Sequence, residues 1–150
     1  GVTEVRAGVF VFQDLFQAGI GVCSNDDIAL SVLTTVISHK KNQNRIITDA
    51  GGVALSKDQS TRGTSFDCVY GLVTDIDGNI IDNLFVESAN QEHGLITTNN
   101  GGIDFDSYPI GTKLRILPNH SCMTAAAYDS YNVIDGDREI METWSRCNGW

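Results

Sequence analysis

The feature that most constrains the fold is a series of short segments rich in β-branched residues, which recur roughly every 8–12 residues with turn-forming residues between them. The chain has 15 glycines but only 2 prolines, so tight turns are available and few positions would interrupt a β-ladder. The segments predicted to be extended span residues 8–13, 26–40, 45–49, 68–74, 80–88, 93–97, 111–117, 132–134 and 139–144. This spacing, without a convincing helical pattern, is typical of a barrel or sandwich. We predict an all-β fold: a single β-barrel-like domain of short, mostly antiparallel strands.

Local signals decide two parts of this assignment. Residues 26–40 could begin as a helix capped by Asn25 or Asp26, but the β-branched run in their second half favours a long strand that is buried on both sides. Asp77-Gly78 is the tight turn of a predicted hairpin, and residues 135–137 would form the turn of a second one. Residues 15–23 are expected to form an apolar loop interrupted by glycine.

The charge of the chain excludes several classes of partner. Its formal net charge is −9 at pH 7, so we expect no basic surface for phosphates and no binding to nucleic acid or an anionic membrane. No apolar run approaches the roughly 20 residues of a membrane-spanning helix, and the N-terminus lacks a signal segment. The four cysteines are far apart and unpatterned, unlike a secreted disulfide framework. We therefore expect a cytoplasmic protein, in which Cys23, Cys68 and Cys147 are small core residues.

His120 and Cys122 form the first candidate site. They follow the strand predicted at residues 113–117, and side chains two positions apart on an extended segment point the same way. Imidazole and thiolate are ligands that zinc prefers, and two protein ligands would leave positions open for water or substrate. Pro118 would hold the backbone that enters the site, and Asn119 could fix the turn by side-chain-to-backbone hydrogen bonds. The alternative is a buried thiol beside an ordinary histidine.

The second candidate site is the polar stretch at residues 91–94. Glu92 could orient a metal ligand or be a third ligand, and His93 could contact substrate or carry a proton. The alternative interpretation is a solvated turn before a strand.

Four segments, in order, resemble one protein family over almost the whole chain. Residues 4–14 are similar to its E-x-R-P-G-x-Y-x-F-x-D opening, with Ala7 where proline is usual, and residues 49–58 resemble its D-A-G-x-x-A-L-S-x-D segment. Residues 91–94 resemble its E-E/Q-E-H-G turn, and residues 118–124 its P-N-H-x-C-x-T signature. The resemblance is to the C-terminal β domain of the D-serine dehydratase and D-threonine aldolase family. These are fold-type III pyridoxal phosphate enzymes related to alanine racemase.

The resemblance implies a metal-assisted reaction on a D-amino acid of the D-serine or D-threonine type. A zinc ion, or another divalent metal, would be held by His120 and Cys122 and would bind the β-hydroxyl of the substrate. This Lewis acid would help the hydroxyl depart in a dehydratase, or activate it for retro-aldol cleavage in an aldolase. Aldolases often have aspartate at the second ligand position, so Cys122 favours the dehydratase.

The resemblance also implies that part of the enzyme is missing. In the family, pyridoxal phosphate is bound in an N-terminal α/β barrel to which nothing in residues 1–150 corresponds. No matching motif surrounds any of the four lysines, Lys40, Lys41, Lys57 and Lys113. We expect pyridoxal phosphate only in the full-length enzyme, an isolated domain that is catalytically incomplete, and a homodimer, since family dimers complete each active site with the partner's C-terminal domain. The alternative is a stand-alone β module for metal or ligand binding or for dimerisation.

Overall fold

Six strands form a closed antiparallel barrel in the computed structural model, which describes residues 1–6, 8–136 and 138–147. The strands are β1 (Val32–Lys40), β2 (Arg45–Thr48), β3 (Leu72–Thr74), β4 (Ile80–Ala89), β5 (Gly94–Thr98) and β6 (Lys113–Leu117). They follow the order β1-β2-β5-β4-β3-β6, and every neighbouring pair is antiparallel. Pairing of β6 with β1 closes the barrel. The prediction of an all-β, barrel-like domain is confirmed.

One fully buried β-branched residue from each strand fills the barrel interior. These residues are Val36, Ile46, Val73, Val86, Ile96 and Ile116. Cross-strand pairing brings them together, because Ile46 and Val86 each pair with Ile96, and Val73 pairs with Ile116. Burial of each such side chain contributes about 1.5–3 kcal/mol, so this interior is a major source of the stability that holds the site in place.

Strand β1 differs from the prediction in its start and in its burial. It begins at Val32, and residues Asn25–Asp27 form a 3-10 helix. Burial along β1 alternates, with Val36 fully buried and Leu33 59% exposed, so the expectation of a strand buried on both sides is wrong. Only one face of a barrel strand points into the interior, and apolar residues on the other face therefore stay at the surface.

Three short α-helices lie outside the prediction: α1 (Leu15–Gly19), α2 (Gly52–Leu55) and α3 (Ser121–Ala125). Further 3-10 helices span Val9–Val11, Lys41–Gln43 and Phe105–Ser107. The strand predicted at residues 8–13 is therefore wrong, and so is the loop at residues 15–23. The closed barrel offers no free edge with which another strand could pair. None of the described helices is long and apolar enough to cross a membrane.

Both predicted hairpins are present, although their strand limits differ. Gly78, in the turn between β3 and β4, has φ 92°, a conformation that favours glycine. In the same turn the Asp75 carboxylate accepts hydrogen bonds from the backbone nitrogens of Asp77 and Asn79, each at 2.9 Å. A separate two-stranded antiparallel sheet consists of β7 (Ser130–Val133) and β8 (Glu142–Ser145). The connection between β7 and β8 is longer than the turn predicted at residues 135–137. Asp137 of that predicted turn lies outside the described residues.

The cysteines are less buried than expected. All four are free thiols, as expected for a chain without a disulfide framework. Cys147 is exposed, so its assignment to the core is wrong, while Cys23 and Cys68 are half-buried. Burial, together with the nearby Asp67 charge, raises the pKa of the Cys68 thiol to about 11, so this thiol stays protonated at neutral pH.

Candidate functional site

The segment that contains His120 and Cys122 turns from a strand into a helix between these two residues. His120 has an extended backbone (φ −140°, ψ 98°) and is the N-cap of α3, whereas Cys122 lies inside that helix. The backbone nitrogen of Thr124 donates to the His120 carbonyl at 3.1 Å and closes the first helical turn. The premise that both residues share one extended segment is therefore wrong. The start of α3 lies between the two residues, so one side chain leaves an extended backbone and the other leaves a helix.

A buried aspartate from the N-terminal part of the chain supports this turn. The Asp14 side chain caps α1 by accepting from the Gln17 nitrogen at 3.0 Å, and its other oxygen accepts from the Ser121 nitrogen at 3.0 Å. The Leu15 nitrogen donates to the Pro118 carbonyl at 3.1 Å. Asp14 thus satisfies backbone donors at the start of two helices, and it joins α1 to the segment that leads into α3.

Asn119, which is 2% exposed and directly precedes His120, anchors this part of the chain through its side chain. Its side-chain amide donates to the carbonyls of Asp58 at 3.0 Å and Val69 at 2.7 Å, and its side-chain oxygen accepts from the Thr61 hydroxyl at 3.2 Å. The expectation that Asn119 makes side-chain-to-backbone hydrogen bonds is confirmed. Val69 has φ 55°, an unfavourable conformation for a β-branched residue, so backbone strain is stored beside this anchor.

The candidate ligands themselves are accessible. The His120 side chain is 38% exposed, and Cys122 is exposed. Within the described part of the chain, no group of three or more His, Cys, Asp or Glu side chains could hold a metal ion. Among the described residues, His120 and Cys122 thus have no third such side chain grouped with them, and the role of Glu92 as a metal ligand or as the orienter of one stays a prediction.

Asp58 is the site residue that the functional interpretation of the sequence missed. Its carboxylate Oδ2 lies 3.4 Å from Nδ1 of His120, and its side chain is 21% exposed. Burial raises the pKa of Asp58, but hydrogen bonds from Ser60 and the interaction with His120 outweigh this effect and hold the pKa below its usual value. Asp58 ends the segment at residues 49–58 that resembles the family pattern. Its place in that segment was the sequence signal that could have identified Asp58 as a site residue. The sequence does not show which side chain Asp58 faces.

Glu92 and His93 lie in the turn between β4 and β5, and both are exposed. The Gln91 amide donates to Glu92 at 3.1 Å, and the Asn90 nitrogen donates to the His93 carbonyl at 2.9 Å. Glu92 borders a shallow cavity of about 160 Å³, whereas His93 does not line it. The cavity is lined by Asp49, Gly51, Val53, Ala54, Gln91, Glu92, Ala127 and Tyr128. This cavity lies beside α2 and the end of α3. Glu92 therefore borders an open recess next to the helix that contains Cys122.

The lysines do not form a cofactor site. All four, Lys40, Lys41, Lys57 and Lys113, lie in the described part of the chain, and each is exposed. The Lys113 ammonium donates to the Thr35 hydroxyl at 2.6 Å on the outside of the barrel. A lysine that forms a Schiff base with a cofactor needs a desolvated setting, and none of these four exposed positions provides one. The residues present do not fit pyridoxal phosphate.

Comparison with known proteins identifies relatives that span the chain. Residues 29–134 match the family described as "Putative serine dehydratase domain". The chain is similar to D-threo-3-hydroxyaspartate dehydratase from Delftia sp. (strain HT23), with 45% identity over 153 residues that cover 100% of this chain and 40% of the relative. The solved structure of that dehydratase has a TM-score of 0.91 and 44% identity, and the match covers 100% of this chain and 40% of that chain.

Two further relatives differ in length. The D-serine dehydratase of Dictyostelium discoideum is 36% identical over 154 residues, which cover 100% of this chain and 38% of the relative. An uncharacterized protein of Mycobacterium tuberculosis is 29% identical over 136 residues, which cover 87% of this chain and 91% of that protein. The chain therefore spans about 40% of the length of the dehydratases it matches, and most of the length of the mycobacterial protein.

Mutant structures of D-threo-3-hydroxyaspartate dehydratase are also similar to this chain. One carries a histidine-to-alanine substitution, and the other carries a cysteine-to-alanine substitution and is in the metal-free form. The substituted histidine and cysteine lie two positions apart in that protein. His120 and Cys122 have the same spacing here.

Proposed function

The chain belongs to the serine dehydratase domain family, and we propose that it is the metal-bearing C-terminal domain of a D-amino-acid dehydratase. The full enzyme would depend on pyridoxal phosphate and would eliminate the β-hydroxyl of D-serine or D-3-hydroxyaspartate. The observation that carries the proposal is the pair His120 and Cys122, which is accessible on a segment anchored by buried Asp14 and Asn119.

The donor set fits a divalent metal of the zinc type. An imidazole nitrogen and a thiolate sulfur are the ligands that zinc prefers, and an accessible two-residue site leaves positions for water or a substrate hydroxyl. The metal, when bound, supplies a Lewis acid for the departing hydroxyl. His120 would be held by its backbone position at the N-cap of α3 and by Asp58 at its Nδ1, and Cys122 by the first turn of the helix. We assign no other protein ligand.

Glu92 and His93 are proposed to act around this site rather than in it. Both are exposed on the turn between β4 and β5, and Glu92 borders the recess beside α2. A carboxylate there can orient a substrate amino group or a bound water, and a nearby imidazole can contact substrate or carry a proton. These roles depend on the remainder of the enzyme, because an exposed turn does not exclude water by itself.

Pyridoxal phosphate would be held by residues outside this chain. No lysine among residues 1–150 has the desolvated surroundings that a Schiff base requires, since all four are exposed. By its resemblance to the family, the N-terminal α/β barrel would supply the lysine and the phosphate site. The 150-residue chain is therefore proposed to be catalytically incomplete.

Dehydration is favoured over aldol cleavage by two observations. The relatives named above at 36–45% identity are dehydratases, and they align with the whole of this chain. Cys122 occupies the second ligand position, where aldolases of the resembling family often have aspartate. Elimination from D-serine would yield pyruvate and ammonia, whereas aldol cleavage of D-threonine would yield glycine and acetaldehyde.

A second candidate function is a stand-alone, non-catalytic β module that binds a metal or ligand or mediates dimerisation. The mycobacterial relative supports it, because this chain covers 91% of that protein. The two functions differ in what the gene encodes: a barrel in the same reading frame would favour the dehydratase.

A chimera tests the proposed function directly. This chain would replace the matching 40% of the Delftia dehydratase, so that the cofactor-binding part comes from the relative. We expect ammonia from D-serine or D-3-hydroxyaspartate that depends on added zinc, and no acetaldehyde from D-threonine. The matched control is the same chimera with His120→Ala, which should lose the metal-dependent activity. A folded chimera that binds pyridoxal phosphate but releases no ammonia would contradict the proposal.

A further inference from the structure

We infer that Asp58 is a positioning residue for His120, which it holds with Nδ1 protonated so that Nε2 is free to bind the metal. The inference rests on the proposed function, because it concerns the histidine of the proposed metal site. The family resemblance does not place Asp58 at the metal, and the contact with Asp58 gives His120 a defined orientation.

The two carboxylate oxygens of Asp58 have different partners. Oδ1 accepts hydrogen bonds from the Ser60 backbone nitrogen at 2.8 Å and from the Ser60 hydroxyl. Oδ2 lies 3.4 Å from Nδ1 of His120. One oxygen therefore forms the local turn, and the other faces the imidazole ring across 62 positions of sequence.

A second contact fixes the same two segments against each other. The buried Asn119 amide donates to the Asp58 carbonyl at 3.0 Å, and Asn119 directly precedes His120. The segment at residue 58 and the segment at residues 119–120 are thus joined once through the backbone of Asp58 and once through its carboxylate. The hydrogen bond from Asn119 thus keeps Asp58 beside the segment that carries the imidazole, and the carboxylate makes the contact with the ring itself.

The chemistry of the pair determines which ring nitrogen is free. An ionised carboxylate only accepts hydrogen bonds, so it favours a proton on the nitrogen that it faces. A neutral imidazole has a single N–H, and a proton on Nδ1 leaves the Nε2 lone pair unprotonated. Carboxylates that accept from the second nitrogen of a ligating histidine are a recurrent feature of zinc sites, and their loss typically lowers metal affinity about 10–100-fold.

Ser60 separates this role from simple turn formation. If Asp58 only shapes the turn at residues 58–60, then loss of the Ser60 hydroxyl, one of the two groups that donate to Oδ1, should also disturb His120. If Asp58 acts on His120 through Oδ2, then Ser60→Ala should have little effect and Asp58→Ala a large one. Asp58→Asn is the intermediate case, because an amide oxygen accepts more weakly than a carboxylate and the amide nitrogen can donate to Nδ1.

The experiment uses the full 150-residue chain as wild type, Asp58→Ala, Asp58→Asn and Ser60→Ala. The tautomer of His120 is read in the metal-free chain from long-range ¹H–¹⁵N correlations of the ring, at a pH where the imidazole is neutral. Affinity for Co²⁺, a spectroscopic substitute for zinc, is read from the thiolate-to-metal absorption band. Urea unfolding shows that each variant is folded.

We expect wild type and Ser60→Ala to show the Nδ1-protonated tautomer. Asp58→Ala should shift His120 towards the Nε2-protonated form and weaken Co²⁺ binding about 10–100-fold. An unchanged tautomer in folded Asp58→Ala would overturn the inference, and so would an equal shift in Ser60→Ala. If the wild type binds no Co²⁺, the proposed metal site fails, but the tautomer of the metal-free chain still decides the role of Asp58.

Discussion

The carboxylate of Asp14 accepts a hydrogen bond from the backbone nitrogen of Ser121 at 3.0 Å, across 107 positions of sequence. Ser121 lies between His120 and Cys122 in the chain, at the point where the extended backbone becomes helical. A residue at the end of the first resembling segment therefore determines how the two candidate ligands are presented. It also gives that segment a structural role that its sequence pattern does not suggest.

Replacement of Asp14 should destabilise the chain and weaken the site. Asp14→Ala removes the cap of α1 and leaves the buried Ser121 nitrogen unpaired, so we expect the free energy of unfolding to fall by about 2–4 kcal/mol. Asp104, an exposed cap of the 3-10 helix Phe105–Ser107, is the matched control. Urea titrations would show the difference, and equal losses in Asp14→Ala and Asp104→Ala would contradict the role of Asp14.

Zinc binding should depend on His120 and Cys122 alone among the candidate ligands. His120→Ala and Cys122→Ser should each remove most binding in calorimetric titrations, and affinity should fall as the pH is lowered, because protons compete for both ligands. With only two protein ligands, the affinity should also lie well below that of four-ligand structural sites.

The other cysteines provide the controls for this titration. Cys23→Ser, Cys68→Ser and Cys147→Ser should bind zinc like the wild type, since half-buried Cys23 and Cys68 and exposed Cys147 are not assigned to the site. A Cys122→Ser variant that binds zinc as tightly as the parent would show that the site lies elsewhere.

Asp49 should contribute to acid sensitivity. Burial raises its pKa, but hydrogen bonds from the Thr35 nitrogen and the Thr34 hydroxyl, both at 2.7 Å, outweigh burial and hold the pKa below its usual value. A lowered folded-state pKa gives stability that is present above the unfolded-state value of about 3.9 and is lost as the pH falls through the folded-state value. The stability difference between wild type and Asp49→Asn should therefore shrink between about pH 5 and pH 3.

Urea unfolding across this pH range measures the effect. Asp82→Asn, at an exposed position of β4, is the control for the loss of one negative charge. If the difference in the free energy of unfolding between wild type and Asp49→Asn stays constant down to pH 3, the hydrogen bonds to Asp49 do not lower its pKa in the folded state.

The isolated chain should not bind pyridoxal phosphate as an internal aldimine. All four lysines are exposed, so none has the desolvated surroundings that keep an amine nucleophilic at neutral pH. Absorption spectra with added cofactor, followed by borohydride reduction and mass spectrometry, test this expectation. Stoichiometric label on a single lysine would prove it wrong.

Self-association of the chain is expected from its exposed apolar side chains. Four of them lie in or near the 3-10 helix Val9–Val11 and α1, and each is more than half exposed: Phe10, Val11, Ile20 and Val22. Apolar faces of several hundred Å² seldom stay uncovered on a soluble monomer, so sedimentation equilibrium should show a dimer that forms with increasing concentration. The double variant Phe10→Ser/Val11→Ser should weaken this dimer about tenfold or more, about 1.4 kcal/mol.

Ile110→Ser, in a loop far along the chain, is the control for this variant. A sedimentation profile that remains monomeric over a wide concentration range would contradict the expected homodimer.

The fold was predictable because its signals are local. The turn at Asp77-Gly78 and the β-branched segments around Ile46 and Ile116 contain in themselves the preference for hairpins and strands. Residues 8–13 do not form the expected strand, and Val9–Val11 are a 3-10 helix instead. An alternating Val-Phe pattern needs a partner edge, and pairing of β1 with β6 leaves none.

The sequence by itself determined the barrel, the family and the identity of the two candidate ligands, since strand patterns and the His-x-Cys spacing depend only on neighbouring residues. Only the tertiary structure decided how these ligands are presented. Asp14 starts α3 after His120, and Asp58 faces the His120 ring, although both residues are distant in sequence. Hydrogen bonds of this kind form only after the barrel has brought remote loops together, so no local pattern could have shown them.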